Sequence, residues 1–176
     1  MKTITLFGTS KVQPGEAVFQ LAEAVGRLLA ENGLCLANGG YGGTMLAAAK
    51  GASEAGGKVI GVTCKAFKRG KANDYVTEEI KTDSLSERLA KLIELGDGFL
   101  VLPGGTGTLL ELADVWEHKN KGFSSAEKPI ILVGAFWQPL LGMMAAADAD
   151  CVLCVDCAET ADDALELLKN SLDMVP

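Results

Sequence analysis

Short apolar runs alternate with helical stretches along the whole chain, and no other feature of the sequence constrains the fold as strongly. The runs Thr3–Phe7, Gly33–Ala37, Lys58–Thr63, Gly98–Leu102, Pro129–Val133 and Val152–Asp156 have strand length, and several lack any polar alternation. That is the signature of strands covered on both faces. Between them Gly15–Glu31, Thr44–Ala55, Leu85–Leu95, Leu109–Lys121, Gln138–Ala147 and Ala161–Leu172 read as helices, and Val76–Thr82 as a short edge strand. Repeated β-α units joined by right-handed crossovers predict an α/β fold, a three-layer doubly wound Rossmann-like domain with a mostly parallel sheet. With 176 residues, 48% of them hydrophobic, the chain is long enough for one domain spanning residues 1–176 with an ample core.

In such a sheet ligands bind beyond the carboxyl ends of the strands. Three loops rich in glycine or small residues fall there: Gly8-Thr9-Ser10-Lys11, Asn38-Gly39-Gly40-Tyr41-Gly42-Gly43-Thr44, and Pro103-Gly104-Gly105-Thr106-Gly107-Thr108. In the third, glycines let the backbone approach a ligand, and the helix that follows opens with unsatisfied N–H groups at the positive end of its dipole. Thr106 and Thr108 add hydroxyl donors, and Glu111 places a carboxylate one turn into the helix. Thr108 and Glu111 also have the spacing of a capping box, an alternative that spacing leaves open. One glycine loop is a weak signal, but three at one sheet edge point to a phosphate-bearing ligand. Its candidate contacts are Gly8, Thr9, Ser10, Gly39, Gly40, Gly42, Gly43, Thr44 and Pro103 to Thr108.

Several classes are disfavoured. The first strand is not followed by G-x-G-x-x-G, Ala37-Asn38 stands where an acidic residue would hold a ribose, and no loop continues into Gly-Lys-Ser/Thr. No cofactor is therefore expected. A net charge of −7 argues against non-specific nucleic-acid binding. The cluster Lys65, Lys68, Arg69 and Lys71 reads either as a solvated loop or as a basic flap over a phosphate. Cys151, Cys154 and Cys157 have a metal-like spacing, but in a strand residues three apart face opposite ways, and His118 is the sole histidine. No metal site is expected. Cysteine usage, the lack of a membrane-length apolar run and the lack of a signal sequence point to the cytoplasm.

Pro103-Gly104-Gly105-Thr106-Gly107-Thr108-Leu109-Leu110-Glu111 matches Pro-Gly-Gly-x-Gly-Thr-x-x-Glu, the signature of the LONELY GUY (LOG) family, and Gly39-Gly40-Tyr41-Gly42-Gly43 is similar to its earlier Gly-Gly-x-x-Gly element. The resemblance runs from Ile4 to about Leu168. A third element, Met-x-x-Arg-Lys, reads here Leu85-Ser86-Glu87-Arg88-Leu89, so the arginine is kept and the lysine is not. The resemblance implies hydrolysis of a nucleoside 5′-monophosphate at its N-glycosidic bond, with Arg88 and Glu111 as the catalytic pair and Gly104 to Thr108 as the phosphate loop. Leu89 implies weaker phosphate affinity or a different ligand than in strict cytokinin-activating members. Attraction between the pair is expected to keep Glu111 ionised. Relatives with this fold also resemble molybdenum cofactor carriers, which implies a non-catalytic alternative, a carrier of a phosphate-bearing pterin.

The family has long carried the label "possible lysine decarboxylase". His118-Lys119, the one dipeptide evoking pyridoxal phosphate chemistry, reads instead as a cationic pair at a helix carboxyl end. The resemblance implies a homodimer, and the helices Thr44–Ala55 and Leu109–Lys121 carry apolar faces wide enough for subunit contact. The spacing of Tyr41, Phe67, Phe123, Phe136 and Trp137 does not decide whether each stacks on a base or packs.

Overall fold

A computed structural model describes residues 1–67, 71–123 and 127–174. Among these residues seven strands, β1 (Thr3–Phe7), β2 (Cys35–Asn38), β3 (Val59–Cys64), β4 (Glu78–Thr82), β5 (Gly98–Val101), β6 (Ile130–Val133) and β7 (Asp156–Ala158), form one parallel sheet in the order β4-β3-β2-β1-β5-β6-β7. The helices are α1 (Ala17–Glu31), α2 (Thr44–Glu54), α3 (Leu85–Leu95), α4 (Thr106–Asn120), α5 (Gln138–Ala147) and α6 (Ala161–Ser171). This is the doubly wound architecture that the alternation predicts. Strand order reverses at β1, which pairs with β2 on one side and β5 on the other. A crevice opens between the carboxyl ends of β1 and β5.

Period-two alternation divides β1 between two cores. Ile4 and Leu6 pack toward α1, α2 and α6, whereas Phe7 packs with Phe99, Val101, Leu92, Leu112 and Trp116 beneath α3 and α4. Phe7 and Phe99 lie with rings nearly parallel, 6.0 Å apart. Thr5 is fully buried, and its hydroxyl donates to the Leu92 carbonyl at 2.9 Å, so α3 is tied to β1 by a satisfied polar contact.

Helices α1 and α2 approach until backbones nearly touch: a Cβ on Gly26 would strike the Ala48 backbone, and one on Gly51 the Glu23 carbonyl. Apart from Met45, the apolar residues of α2 pack in this contact and against the sheet. The expectation that α2 leaves a face for a second subunit is thereby corrected. Helix α5 is the opposite case, Gln-Pro-Leu-Leu-Gly-Met-Met-Ala-Ala-Ala with no buried residue.

Two boundaries differ from the sequence reading by more than two residues. Val152–Asp156 is not a strand: Cys151–Cys154 forms a 3₁₀ turn whose Cys151 carbonyl accepts the Trp116 Nε1 proton at 2.8 Å, and β7 begins only at Asp156. An apolar run has the same composition whether it faces a sheet neighbour or a tryptophan. The argument from opposite strand faces against a metal therefore lapses. Among the described residues no three His, Cys, Asp or Glu side chains are grouped to hold an ion. Helix α4 starts at Thr106, not Leu109, because Gly and Thr are poor interior residues but cost little in a first turn, where backbone N–H groups have no helical partner anyway.

Candidate active site

A cleft of about 620 Å³ opens at the switch point, between the ends of β1 and β5 and the start of α4. Of the predicted contacts, Gly8, Thr9, Ser10, Gly39, Gly105, Thr106, Gly107 and Thr108 line it, together with Arg88 and Glu111. Gly40, Gly42, Gly43, Thr44, Pro103 and Gly104 do not line it, and most of these hold the loops that do. The amide and hydroxyl of Thr44 both donate to the Thr9 carbonyl, at 2.9 and 3.1 Å, and the Thr9 amide donates to the Pro103 carbonyl at 3.2 Å. All three loops are thus stitched together through Thr9. Gly43 has φ +65°, and a Cβ there would strike the Thr9 carbonyl, so this crossing admits only glycine without strain. Gly104 gives up its side-chain space to the Thr108 hydroxyl.

Helix α4 carries no side-chain cap: Gly105 is its N-cap and offers none. Among the described residues no side chain caps the first amides of the helix, which lie at the cleft with the positive end of the dipole behind them. The capping-box alternative is excluded, since Thr108 and Glu111 lie inside the helix and Glu111 turns to Arg88. Thr108 is buried, and Thr106 is exposed at the mouth.

Arg88 comes from α3, whose N-cap Ser84 accepts the Glu87 amide at 3.2 Å. The side chain is 7% exposed. Its Nε donates to the Val62 carbonyl at 2.9 Å, and Nη1 donates to Glu111 Oε1 at 3.4 Å. The guanidinium lies 5.9 Å from the Tyr41 ring centre and 5.5 Å from that of Phe67, within cation–π range. Gly39 is predicted above as a ligand contact, and here it also makes room for Arg88: a Cβ on it would collide with Nη2. Tyr41 is fixed in turn by its hydroxyl, which accepts from the Cys64 amide and donates to the Cys64 carbonyl.

Glu111 is only 15% exposed. Burial raises its carboxyl to about 7, and the charge and hydrogen bond of Arg88 pull the other way without prevailing. The expectation that Arg88 keeps Glu111 ionised is corrected: near neutrality the carboxyl is divided between its two protonation states. The pairing distance of 3.4 Å is long for a charge-assisted bond, and it leaves both groups capacity for a ligand.

Apolar residues form the remaining wall, among them Met45, Leu85, Leu89 and Leu110. Of the five aromatics left open above, Tyr41 and Phe67 border the cleft, Trp137 is buried with Nε1 donating to Leu102 at 3.2 Å, Phe123 packs edge-on against His118, and Phe136 edge-on against Trp137. Sequence reading missed Met45, Leu110 and the flanking of Arg88 by two rings, since none of these contacts has a local spacing. His118 and Lys119 stand in the last turn of α4, as expected of cations favourable to a helix carboxyl end. In the basic cluster, Lys65 pairs with Asp83 and Lys71 with Asp74, both at the surface, while Lys68 and Arg69 lie outside the described residues.

The family described as "Possible lysine decarboxylase" matches residues 45–170, a span that contains Arg88, the Pro103 loop and Glu111. The chain belongs to this family, the LOG family. It is 34% identical over 145 residues to the cytokinin riboside 5′-monophosphate phosphoribohydrolase of Rhodococcoides fascians, covering 80% of this chain and 72% of that one. Among solved structures, this LOG family member is similar to the molybdenum cofactor carrier protein of Chlamydomonas reinhardtii, with a TM-score of 0.80, 27% identity and 98% of each chain covered. It is similar to the molybdenum cofactor binding protein of Rippkaea orientalis with the same TM-score, 25% identity and 97% of each chain covered.

Proposed function

We propose that this chain is a hydrolase that cleaves the N-glycosidic bond of a nucleoside 5′-monophosphate, AMP or a nucleotide resembling a cytokinin riboside monophosphate, to free base and ribose 5-phosphate. One observation carries this reading: a buried Arg88–Glu111 pair lies in the same cleft as the uncapped start of α4. The phosphate docks on the amides from Thr106 to Thr108, with Thr9 and Ser10 opposite. That end anchors the ribose above Glu111, and the base lies along the apolar wall.

Breaking the bond leaves an oxocarbenium-like sugar at C1′. The ionised Glu111 stabilises that charge and takes a proton from the attacking water, whose oxygen bonds C1′; the base leaves with the electron pair of the C–N bond and takes up a proton from solvent, to which Glu111 returns its own. Its value of about 7 suits a general base at neutral pH. Arg88, held on Val62 and between two rings, keeps Glu111 oriented and presents its remaining N–H groups to the departing base or the sugar. Incubation with a panel of nucleoside 5′-monophosphates, followed by chromatographic separation of base and ribose 5-phosphate, tests the reading. Release that is lost in Glu111→Ala is expected, and no release from any nucleotide overturns it.

The non-catalytic alternative, a carrier of molybdenum cofactor or a similar pterin phosphate, rests on the two solved structures above. Pterin absorbance in the purified protein favours it over hydrolysis. The proposal includes a homodimer. Helix α5 has no fully buried residue, and Leu109, Leu110, Met143 and Met144 are exposed large apolar residues on α4 and α5. Light scattering is expected to give twice 18.4 kDa, and a mass of one chain refutes it. The setting proposed is the cytoplasm, in keeping with five unpaired cysteines, and no helix among the described residues is long and apolar enough to cross a membrane.

A further inference from the structure

Among the described residues the cleft is lined by three charged residues: Lys11, Arg88 and Glu111. Arg88 and Glu111 pair with one another at 3.4 Å and keep capacity for the sugar and base. Arg88 is buried, with Nε on Val62, Nη1 on Glu111 and Nη2 against Gly39. A phosphate monoester carries a charge of about −1.5 to −2 near neutrality, and a helix N-terminus offers only about half a positive charge. A further cation at the phosphate end would balance the rest of that charge.

Lys11 is free to be that cation. Most lysines of this acidic chain are engaged: Lys50, Lys58, Lys65, Lys71, Lys81, Lys91 and Lys121 pair with carboxylates. Among the described residues the exposed Lys11 has no carboxylate within ion-pair distance. Its backbone is also well placed. The Lys11 amide donates to the Thr9 hydroxyl at 3.2 Å, and the Thr9 amide donates to the Pro103 carbonyl at 3.2 Å. This fixes the backbone of Lys11 beside the loop that opens α4.

We propose that Lys11 is a substrate-binding residue whose ammonium group pairs with the ligand's phosphate, opposite the first amides of α4. The inference rests on the nucleotide reading above for its ligand, but it concerns binding and not the bond-breaking step. A single exposed charge-assisted contact of this kind accounts for about a tenfold change in affinity. A flexible ammonium at the rim also differs from Arg88 in what it recognises: it discriminates phosphorylated from unphosphorylated ligands and leaves the base unread.

The test compares Lys11→Met and Lys11→Arg with the wild type, by calorimetric titration with ribose 5-phosphate and by steady-state kinetics on AMP with adenosine as competitive inhibitor. Lys11→Met is expected to weaken ribose 5-phosphate binding and raise KM for AMP about tenfold, to leave kcat within about threefold, and to leave inhibition by adenosine unchanged. Lys11→Arg should restore most of the affinity. Affinities for AMP and ribose 5-phosphate within twofold of wild type in Lys11→Met overturn the proposal, as does an equal loss for adenosine. Binding of AMP by the wild type without release of adenine refutes hydrolysis and leaves Lys11 to be judged by the titrations. A wild type that binds neither AMP nor ribose 5-phosphate overturns both.

Discussion

Glu111 titrates near 7 because it is buried, and this makes the pH dependence of the protein a direct readout of the site. A displacement from 4.5 to about 7 corresponds to roughly 3 kcal/mol disfavouring the carboxylate, at about 1.4 kcal/mol per unit. If ionised Glu111 is the base, about a tenth of the enzyme is active at pH 6 and about nine tenths at pH 8, so kcat/KM should rise about tenfold between them. The substrate phosphate itself titrates near 6, so kinetics should be accompanied by a carbon-13 titration of the Glu111 carboxyl, assigned by comparison with Glu111→Gln. Arg88→Met removes the charge that pulls the value down, and the transition should move to higher pH. Stability follows the same group with a definite sign. A proton held more tightly in the folded state than in the unfolded chain makes stability greatest below about 4.5 and lower as pH rises through 7. Urea unfolding should show that decline in the wild type and not in Glu111→Gln. A carboxyl titrating near 4.5, or a rate flat from pH 6 to 8, would refute the argument that desolvation outweighs Arg88.

Three further substitutions probe separate links. Gly39→Ala puts a methyl group where Arg88 Nη2 lies, and displacement of the guanidinium should lower kcat/KM about a hundredfold while circular dichroism melting shows a folded protein. Leu89→Lys adds a cation to the cleft wall, so KM for AMP should fall severalfold and the Glu111 titration should shift downward; an unchanged KM would show that Leu89 does not limit phosphate affinity. Trp116→Phe strips the buried Cys151 carbonyl of its donor and should cost about 1–3 kcal/mol in urea unfolding with kinetics unaltered.

The sheet and its switch point were legible because buried parallel strands advertise themselves as unbroken apolar runs and because glycine loops mark their carboxyl ends. β1 and α3 have the bounds read from sequence. The failure at Val152–Asp156 has a physical cause: Val152 and Cys154 pack against the same core that a strand would, so hydrophobicity carries no information on whether the backbone turns. Arg88 illustrates a different limit. Its helix neighbours Ser86 and Glu87 are exposed, and its burial follows from Gly39, Tyr41 and Phe67, which lie far away in sequence. Motif spacing found the Arg88–Glu111 pair, but only the surrounding packing reverses the expected protonation of Glu111. Likewise Gly43 and Thr44 read as ligand contacts because they sit in a glycine loop, whereas their amide, hydroxyl and missing Cβ serve Thr9.

Proton NMR of AMP incubated with the wild type and with Glu111→Gln tests the central claim most directly. The anomeric proton of the nucleotide should give way to those of ribose 5-phosphate with adenine released, and Glu111→Gln should leave AMP intact. An unchanged spectrum with the wild type, or conversion to adenosine and phosphate, would contradict cleavage at C1′ in this cleft.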